Sequence, residues 1–298
     1  PPPEPVVDEP IEIITPPPVT RIEPREPAPK VPEPPPLPHV SIVLSSAQPA
    51  YADVARELAG RFDNYEIYDL DEDRRAPVTI LRLINDSRPG AVIAIGLSAA
   101  QSSIAMSEHP VVFSQVFNYR HHDLLRENSR GIAVLPPLDA QIAAWKDVDP
   151  TVRRIGLIIG DGHDELMAEA ELAAQRHNVE LVIKVTRSDQ ETLYFFRRMV
   201  RDIDGFWLFP DNRVLSSRAL QQMLADAKRR RVPVSVPSES MLSLGALISM
   251  TASASDIAET IVRVVRKIQA GDIKAVPPIT RLSEIRVTRN NTEQVVRR

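Results

Sequence analysis

The chain has 298 residues, a net charge of −4, and hydrophobic and charged shares of 43% and 26%, which are typical of a soluble globular protein with room for two domains. No apolar run approaches the roughly 18–20 residues that a membrane-spanning helix needs. The absence of cysteine excludes disulfides, thiolate metal sites and a cysteine nucleophile, and it suits an oxidising compartment such as the periplasm.

The excess negative charge lies at the start of the chain. Residues 1–39 contain seven acidic and three basic side chains, whereas the other 259 residues carry 33 of each sign. A neutral body gives no reason to expect nucleic acid as a partner.

Residues 1–38 form a proline-rich segment with 16 of the 28 prolines. Because proline fixes φ and removes a backbone donor, this segment is predicted to be an extended tail of the polyproline II type, with about 3.1 Å per residue. It is either a plain linker or a tether that holds the body away from a membrane anchor or along a partner. Its residues 11–14, IEII, could add a strand to another protein's sheet.

From residue 39 onward, strands and helices alternate. Strands are predicted at residues 39–45, 65–70, 91–96 and 111–115, and helices at 51–62, 78–87 and 98–106. After a break near residues 135–141, strands are predicted at 153–160, 179–185, 205–209 and 232–236, and helices at 164–178, 190–202 and 216–231. A last helix, residues 255–271, is predicted to end with Gly271 at its C′ position. This alternation predicts an α/β body with two Rossmann-like lobes, each built on a parallel central sheet and joined by a hinge.

No sequence motif supports catalysis. The sequence GDGHDE from Gly160 begins like a dinucleotide-binding fingerprint, but Glu165 stands where the third glycine is needed. The sequence GLSAA from Gly96 resembles a nucleophile elbow except that Ala100 replaces its last glycine, so Ser98 is expected to be a helix N-cap. We therefore expect no enzyme activity and no cofactor.

Two clusters of ionisable residues have simple structural explanations. His121 and His122 are adjacent and point apart on any regular element, which makes them poor joint ligands of a metal. The run from Lys228 to Arg231 ends a predicted helix, where cations complement the helix dipole. Neither cluster predicts a metal site or a nucleic-acid site.

The sequence GFWLFPDNRVLSS, residues 205–217, places Asp211 and Asn212 directly after a buried strand. Open α/β sheets bind ligands at the carboxyl ends of their strands, so these two side chains are candidates for ligand contact. The alternative is that one of them only caps the next helix.

Three sequences in the second half of the chain carry a resemblance to a known family. They are RRIGLIIG (residues 153–160), GFWLFPDNRVLSSRAL (205–220) and RRVPVSVPSESMLSLGAL (230–247). AVIAIGLSAAQ (91–101), HPVVFSQV (109–116) and GIAVLPPLDAQ (131–141) match more loosely, in the same order. From about residue 39 to the end, the chain resembles the ABC-transporter substrate-binding proteins of the type I periplasmic binding protein fold, the group that includes the tryptophan/tyrosine-type binding proteins.

The resemblance implies a domain organisation and a set of partners. After the tail at 1–38, the N-terminal lobe would comprise 39–137 plus about 251–274, and the C-terminal lobe 138–250 plus about 275–298. A small ligand would bind in the cleft between the lobes, and an ABC permease would receive it. The protein would be periplasmic, with the tail as a candidate membrane tether and a lipid anchor as one form of that tether.

The resemblance also implies that residues at equivalent strand ends line the cleft. These are Ser46, Gln48, Tyr51, Ser98, Ala99, Gln115, Phe117 and Asn118 in the first lobe, and Asp161, Asp211, Asn212, Arg213, Ser238 and Glu239 in the second. The helix N-termini at Ser98 and near His163 could receive a carboxylate. Tyr51 and Phe117 could stack on an apolar or aromatic ligand, or could simply pack in the core.

Two departures from the family pattern leave the ligand unidentified. Arg213 follows the Asp-Asn pair where the family usually has a small or neutral residue. It either pairs with a ligand carboxylate or forms a salt bridge with Glu239 that fills the cleft. Asn118 and Tyr119 stand where the family commonly has Asp-Pro.

Two functions follow as alternatives. The first is an extracytoplasmic solute-binding protein that closes its lobes on an amino acid or small organic acid for an ABC importer. The second is a non-catalytic structural or regulatory subunit of a cell-envelope complex that retains the fold and is tethered by its proline-rich tail. The long tail and the altered cleft residues favour the second.

Overall fold

A computed structural model describes residues 39–71, 76–106, 108–289 and 292–296, and the predicted tail at residues 1–38 lies outside this range. The strands are β1 Val40–Leu44, β2 Tyr65–Asp69, β3 Ala91–Ile95, β4 Val111–Ser114, β5 Ser129–Ile132, β6 Arg154–Gly160, β7 Glu180–Thr186, β8 Gly205–Trp207, β9 Val234–Val236, β10 Ile248–Thr251, β11 Ile279–Thr280, β12 Ile285–Arg289 and β13 Thr292–Val296. The α-helices are α1 Pro49–Ala59, α2 Pro77–Ser87, α3 Leu97–Met106, α4 Leu138–Val148, α5 Asp164–Arg176, α6 Asp189–Met199, α7 Ser217–Arg230 and α8 Ala254–Gln269. Each predicted strand and helix of the body is present, with ends that differ by a few residues.

The strands form two sheets, one in each lobe. The first sheet has the order β11-β5-β4-β3-β1-β2, and all of its neighbouring strands are parallel. The second has the order β13-β12-β10-β9-β8-β6-β7, in which the pairs β10–β12 and β12–β13 are antiparallel and the other pairs are parallel. The central strands β1, β3 and β4 are buried along their whole length, as expected when helices cover both faces of a parallel sheet.

Helix α8 packs against the first lobe. Its apolar residues recur with the helical period, so that Ile257, Ile261 and Val265 form one buried stripe against α1 and the first sheet. Each such burial stabilises the fold by about 1.5–3 kcal/mol. The helix ends as predicted: Gly271 adopts a φ of +81°, and the N–H of Asp272 donates to the carbonyl oxygen of Lys267 at 3.1 Å.

The chain crosses between the lobes three times, and we call these segments the three crossings. They are residues 133–137 between β5 and α4, residues 252–253 between β10 and α8, and residues 281–284 between β11 and β12. Asp256, in the first turn of α8, joins two of them, because its carboxylate accepts from the Ser283 hydroxyl at 3.0 Å and from the Glu284 N–H at 3.1 Å. These two hydrogen bonds join the start of α8 to the last crossing.

Two sequence-based expectations are wrong at particular residues. Residues from about 275 were expected in the second lobe, but β11 pairs with β5 in the first sheet, so the last crossing begins only after Thr280. The remaining lobe boundaries stay a prediction. Ser98 was expected to cap α3, but that helix begins at Leu97, and the N–H of Ala99 donates instead to the Ser45 hydroxyl at 2.9 Å.

No helix in the described part of the chain is long and apolar enough to span a bilayer.

Candidate functional site

Three loops that follow strand ends meet where the two lobes touch. Residues 115–118 follow β4 of the first lobe, residues 161–163 follow β6 of the second, and residues 208–213 follow β8 of the second. Parallel strands bring their carboxyl ends to the same edge of a sheet, so each lobe presents its polar loops toward the other. Side chains from all three loops contact one another here.

Asp211 is the centre of this contact and is only 1% exposed. One carboxylate oxygen, Oδ1, accepts from Asn118 Nδ2 at 3.0 Å and from Arg213 Nε at 3.1 Å. The other, Oδ2, accepts from the Gly160 N–H at 2.8 Å and from Arg213 Nη2 at 3.0 Å. The charge is therefore buried, paired and fully hydrogen-bonded, which are the conditions under which a buried carboxylate is tolerated.

The hydrogen bonds to Asp211 decide its protonation. Burial by itself raises the pKa of Asp211, but hydrogen bonds from His163, from Arg213 and from the Gly160 N–H outweigh burial and hold that pKa well below its ordinary value. The carboxylate is therefore ionised at neutral pH, and its negative charge compensates Arg213.

Gly160 is required at this point because there is no space for a side chain. A Cβ on Gly160 would lie 2.5 Å from Arg213 Nη2 and 2.7 Å from Asp211 Oδ2. The glycine lets the ion pair lie against the backbone at the end of β6.

Asn118 connects the lobes. Its Nδ2 donates to Asp211 and, at 3.0 Å, to Oδ1 of Asn212, while its Oδ1 accepts from His163 Nε2 at 3.0 Å. Three residues of the second lobe are thus joined to one buried amide of the first. We call the set Asn118, His163, Asp211 and Arg213 the interlobe network.

The local roles proposed for the residues around Asp211 need correction. Helix α7 is capped by Ser216, whose hydroxyl accepts from the Ala219 N–H at 3.2 Å, so neither Asp211 nor Asn212 caps it. Arg213 pairs with Asp211 and, at 3.2 Å, with the exposed Asp161, not with Glu239.

Glu239 has a different partner. It is exposed, and one of its carboxylate oxygens accepts from the Thr288 hydroxyl at 3.1 Å.

His163 is held by an aromatic contact as well as by Asn118. Its ring lies 4.7 Å from the ring of Phe117, centre to centre, and the Phe117 ring meets the edge of Phe209 at 6.2 Å. The three rings of His163, Phe117 and Phe209 are half-buried or buried, and they lie beside the interlobe network. They form an apolar surface next to the hydrogen-bonded side chains of that network.

A cavity of about 500 Å³ adjoins this cluster and has walls from both lobes. Its apolar walls include Phe117, Tyr119, Leu135, Pro136, Leu166 and Leu282. Its volume is in the range of small-molecule sites.

Two ion pairs between residues that line the cavity connect helix α5 to other parts of the chain. Arg120 of the first lobe pairs with Glu165 of α5 at 2.6 Å. Arg281, which begins the last crossing, pairs with Glu169 of the same helix.

The structure brings together six of the fourteen predicted site residues, namely Phe117, Asn118, Asp161, Asp211, Asn212 and Arg213. Of the fourteen, Phe117 alone lines the cavity. Among the described residues, no hydrogen bond or ion pair joins the other eight to the interlobe network: Ser46, Gln48, Tyr51, Ser98, Ala99, Gln115, Ser238 and Glu239.

Several of those eight have local roles. Tyr51 packs against Gly96 at the end of β3, and burial raises the pKa of its phenol although a hydrogen bond with Gln48 lowers it. Gln115 adopts a φ of +59°, which turns the chain sharply after β4. Ser238 is bonded to Ser240 through their hydroxyls at 2.9 Å.

Sequence reasoning missed four charged residues of the cavity and the role of the His163 side chain. Glu165 and Glu169 are four residues apart, so they lie on one face of α5. This spacing could have predicted from the sequence that the two carboxylates lie side by side. Their partners Arg120 and Arg281 are distant in sequence and carry no such signal. Among the described residues, no cluster of histidine, aspartate or glutamate could hold a metal ion.

The family assignment comes from the sequence. A sequence model of the family described as "ABC transporter substrate binding protein" matches residues 59–292. The chain belongs to this family. No curated protein matches the chain.

Solved structures show the same fold. A conserved domain protein from Vibrio cholerae is 20% identical, with a TM-score of 0.58 over 84% of this chain and 91% of the other. An ABC domain from Streptococcus pneumonia in complex with L-Trp is 16% identical, with a TM-score of 0.59 over 85% and 92%. The ligand-free, open form of a substrate-binding protein with adhesive properties from Clostridium difficile is 16% identical, with a TM-score of 0.61 over 85% and 92%. The predicted two-lobed fold of the type I periplasmic binding proteins is thereby confirmed.

Proposed function

We propose that this member of the ABC transporter substrate-binding family is an extracytoplasmic solute-binding protein that closes its lobes on a small ligand and delivers it to an ABC importer. The observation that supports this most is the cavity of about 500 Å³ whose walls come from both lobes. A ligand that contacts both lobes at once stabilises the closed arrangement relative to the open one, and this differential affinity is what drives hinge closure.

The cavity walls favour a ligand with an apolar or aromatic body. The ring of Phe117 and the side chains of Leu135, Leu166 and Leu282 offer contact area without charge. Four of the charged residues around them form two ion pairs with each other, Arg120 with Glu165 and Arg281 with Glu169, so most of the charge at the site is already compensated. An amino acid or a small organic acid with an apolar side group fits this chemistry, and an L-Trp complex is known for a protein of the same fold.

Thermal-shift screening with amino acids and small organic acids is the direct test. A ligand that binds only the folded state at 100 times its Kd stabilises the protein by about 2.7 kcal/mol. We expect at least one compound with an apolar or aromatic body to raise the unfolding temperature in a concentration-dependent way. A flat screen, together with native mass spectrometry that finds no small molecule carried through purification, would exclude the proposal.

A pair of variants distinguishes binding in this cavity from binding elsewhere. Phe117→Ala removes the ring that lines the cavity, so we expect it to weaken the ligand found in the screen by roughly tenfold or more. Phe195→Ala removes an equally half-buried ring from α6 of the second lobe, away from the cavity, and should leave affinity unchanged. Equal effects of the two substitutions would contradict the proposed location.

The interlobe network supports the alternative, an accessory subunit of a cell-envelope complex that keeps the fold without transporting a solute. Every carboxylate oxygen of Asp211 is already occupied by groups of the chain itself, so the strand ends around it are filled by the protein's own side chains. Co-purification distinguishes the two functions. Recovery of an ABC permease as the main partner would favour transport. A stable complex with other envelope proteins that is lost when residues 1–38 are deleted would favour the accessory role.

A further inference from the structure

A second polar groove lies in the second lobe at the opposite end of the sheet from the interlobe network. It is formed by the segments that precede β6, β8 and β9, that is, at the amino ends of these strands, and it has a volume of about 680 Å³. Its charged lining consists of Arg201, Arg229, Arg230, Arg231, Asp149 and Asp204. We call this feature the arginine groove.

The two aspartates of the arginine groove form no ion pair with its arginines among the described residues. Asp149 accepts from the N–H of Thr151 at 3.0 Å and from its hydroxyl at 2.6 Å. Asp204 accepts from the N–H groups of Arg153 and Arg154 at 2.9 and 2.8 Å. Both carboxylates therefore bind uncharged donors of the fold.

Three of the four arginines have no acidic partner. Within the described part of the chain, Arg201, Arg230 and Arg231 form no ion pair, and all three are exposed. Arg229 pairs with Asp226, but that carboxylate also receives Arg197 Nε at 3.2 Å, so one negative charge is shared between two cations.

Helix dipoles explain part of this arrangement but not its convergence. Helices α6 and α7 both end here, and each end carries roughly half a negative charge that an arginine complements. That effect accounts for basic residues at the end of either helix taken alone. It does not require the arginine after α6 and the three around the end of α7 to line one groove. With Arg197 and Asp226 included, five positive charges there face three carboxylates and about one negative charge from the two helix ends.

We propose that the arginine groove binds the phosphate group of a phosphorylated ligand. Guanidinium groups offer paired N–H donors that match the oxygens of a phosphate, and several arginines around one space are the arrangement that a dianion with three acceptor oxygens favours. The groove is much larger than one phosphate, so the phosphate belongs to a larger body, either a soluble phosphorylated molecule or a lipid headgroup. This site is independent of the interlobe cavity and of the ligand bound there.

The test uses the full chain and two kinds of probe. Isothermal titration with glycerol 1-phosphate measures binding of a soluble phosphate, and co-sedimentation with vesicles of phosphatidic acid and phosphatidylcholine, against phosphatidylcholine alone, measures binding of a lipid headgroup that carries the same phosphomonoester. Binding of the soluble probe assigns a soluble ligand, and binding only to the anionic vesicles assigns the headgroup. Binding of neither probe at low ionic strength would overturn the proposal.

Matched variants separate the arginine groove from net charge. Arg201→Gln with Arg230→Gln removes two groove cations, and we expect it to weaken the observed binding by at least about tenfold. Arg82→Gln with Arg218→Gln changes the net charge equally at exposed positions outside the groove and should stay within about twofold of the wild type. An equal loss in both double variants would show that only overall charge matters and would refute the site.

Discussion

The replacement Asp211→Asn tests whether the buried carboxylate stabilises the contact between the lobes. The carboxylate accepts hydrogen bonds from Asn118, from the Gly160 N–H and from three N–H groups of Arg213, at 2.8–3.2 Å. An asparagine keeps one carbonyl oxygen and turns the other position into a donor, so at least two of these bonds become contacts between donors. The Arg213 side chain, only 17% exposed, then loses its buried counterion.

The expected magnitude follows from these contacts. A hydrogen bond to a charged group contributes about 1.5–3 kcal/mol, and removal of one partner of a buried ion pair costs about 3–5 kcal/mol. We therefore expect the free energy of unfolding at pH 7 to fall by about 3–5 kcal/mol. Asp161→Asn is the control, because Asp161 pairs with the same Arg213 but is 67% exposed, and its loss should cost about 1 kcal/mol or less.

Urea unfolding followed by tryptophan fluorescence suits this test. The chain has two tryptophans, Trp145 and Trp207, and both are buried in the second lobe that contains Asp211. The fluorescence therefore reports the lobe in which the perturbation is made.

The pH dependence gives a second readout with a definite sign. The pKa of Asp211 is lower in the folded protein than its unfolded value near 3.9, so its stabilising contribution is complete above about pH 4 and declines as the pH falls below that value. The difference between wild type and Asp211→Asn should consequently narrow between pH 7 and pH 3. A loss no larger than that of Asp161→Asn, or a difference that does not change with pH, would refute this reasoning.

Two further substitutions test the packing of β8 and the hinge. Gly205→Ala places a Cβ against the ring of Trp145 and should lower the free energy of unfolding by about 1–3 kcal/mol. Its control is Gly60→Ala, where the atom nearest to the added Cβ lies at 3.6 Å, and this substitution should be nearly neutral in the same urea titration. Asp256→Asn weakens the links to the last crossing and should cost about 1–3 kcal/mol, whereas Glu259→Gln on the exposed side of the same helix should change stability by less than about 0.5 kcal/mol. Similar losses for a substitution and its control would show that the contact named here does not matter.

Local sequence patterns determined most of the fold. Continuous apolar runs such as residues 91–95 and the period of α8 arise from burial within single elements, so they can be read without knowing the neighbours. The alternation of these elements then predicted two parallel-sheet lobes. The short strand β11 carried no such pattern, because two residues are too few for periodicity, and its lobe was assigned wrongly.

The candidate site was only partly predictable for a related reason. The position of Asp211 after a buried strand is local information, and it predicted that Asp211 lies at the carboxyl edge of the sheet; its contact with a ligand stays a prediction. The partners of Asp211 are not local: Asn118 lies 93 residues away in the chain, and Gly160 lies 51 residues away. Charge type alone also allowed Arg213 to pair with either Glu239 or a ligand, and the distances favoured Asp211 instead.

By itself, then, the sequence determined which segments become strands and helices, because apolar periodicity and turn residues act over a few neighbouring positions. Only the tertiary structure decided which polar side chains meet. The interlobe network, the cavity beside Phe117 and the arginine groove each bring together residues from separate elements. A hydrogen bond or an ion pair depends on distances of about 3–4 Å, and the order of residues along the chain does not fix such distances.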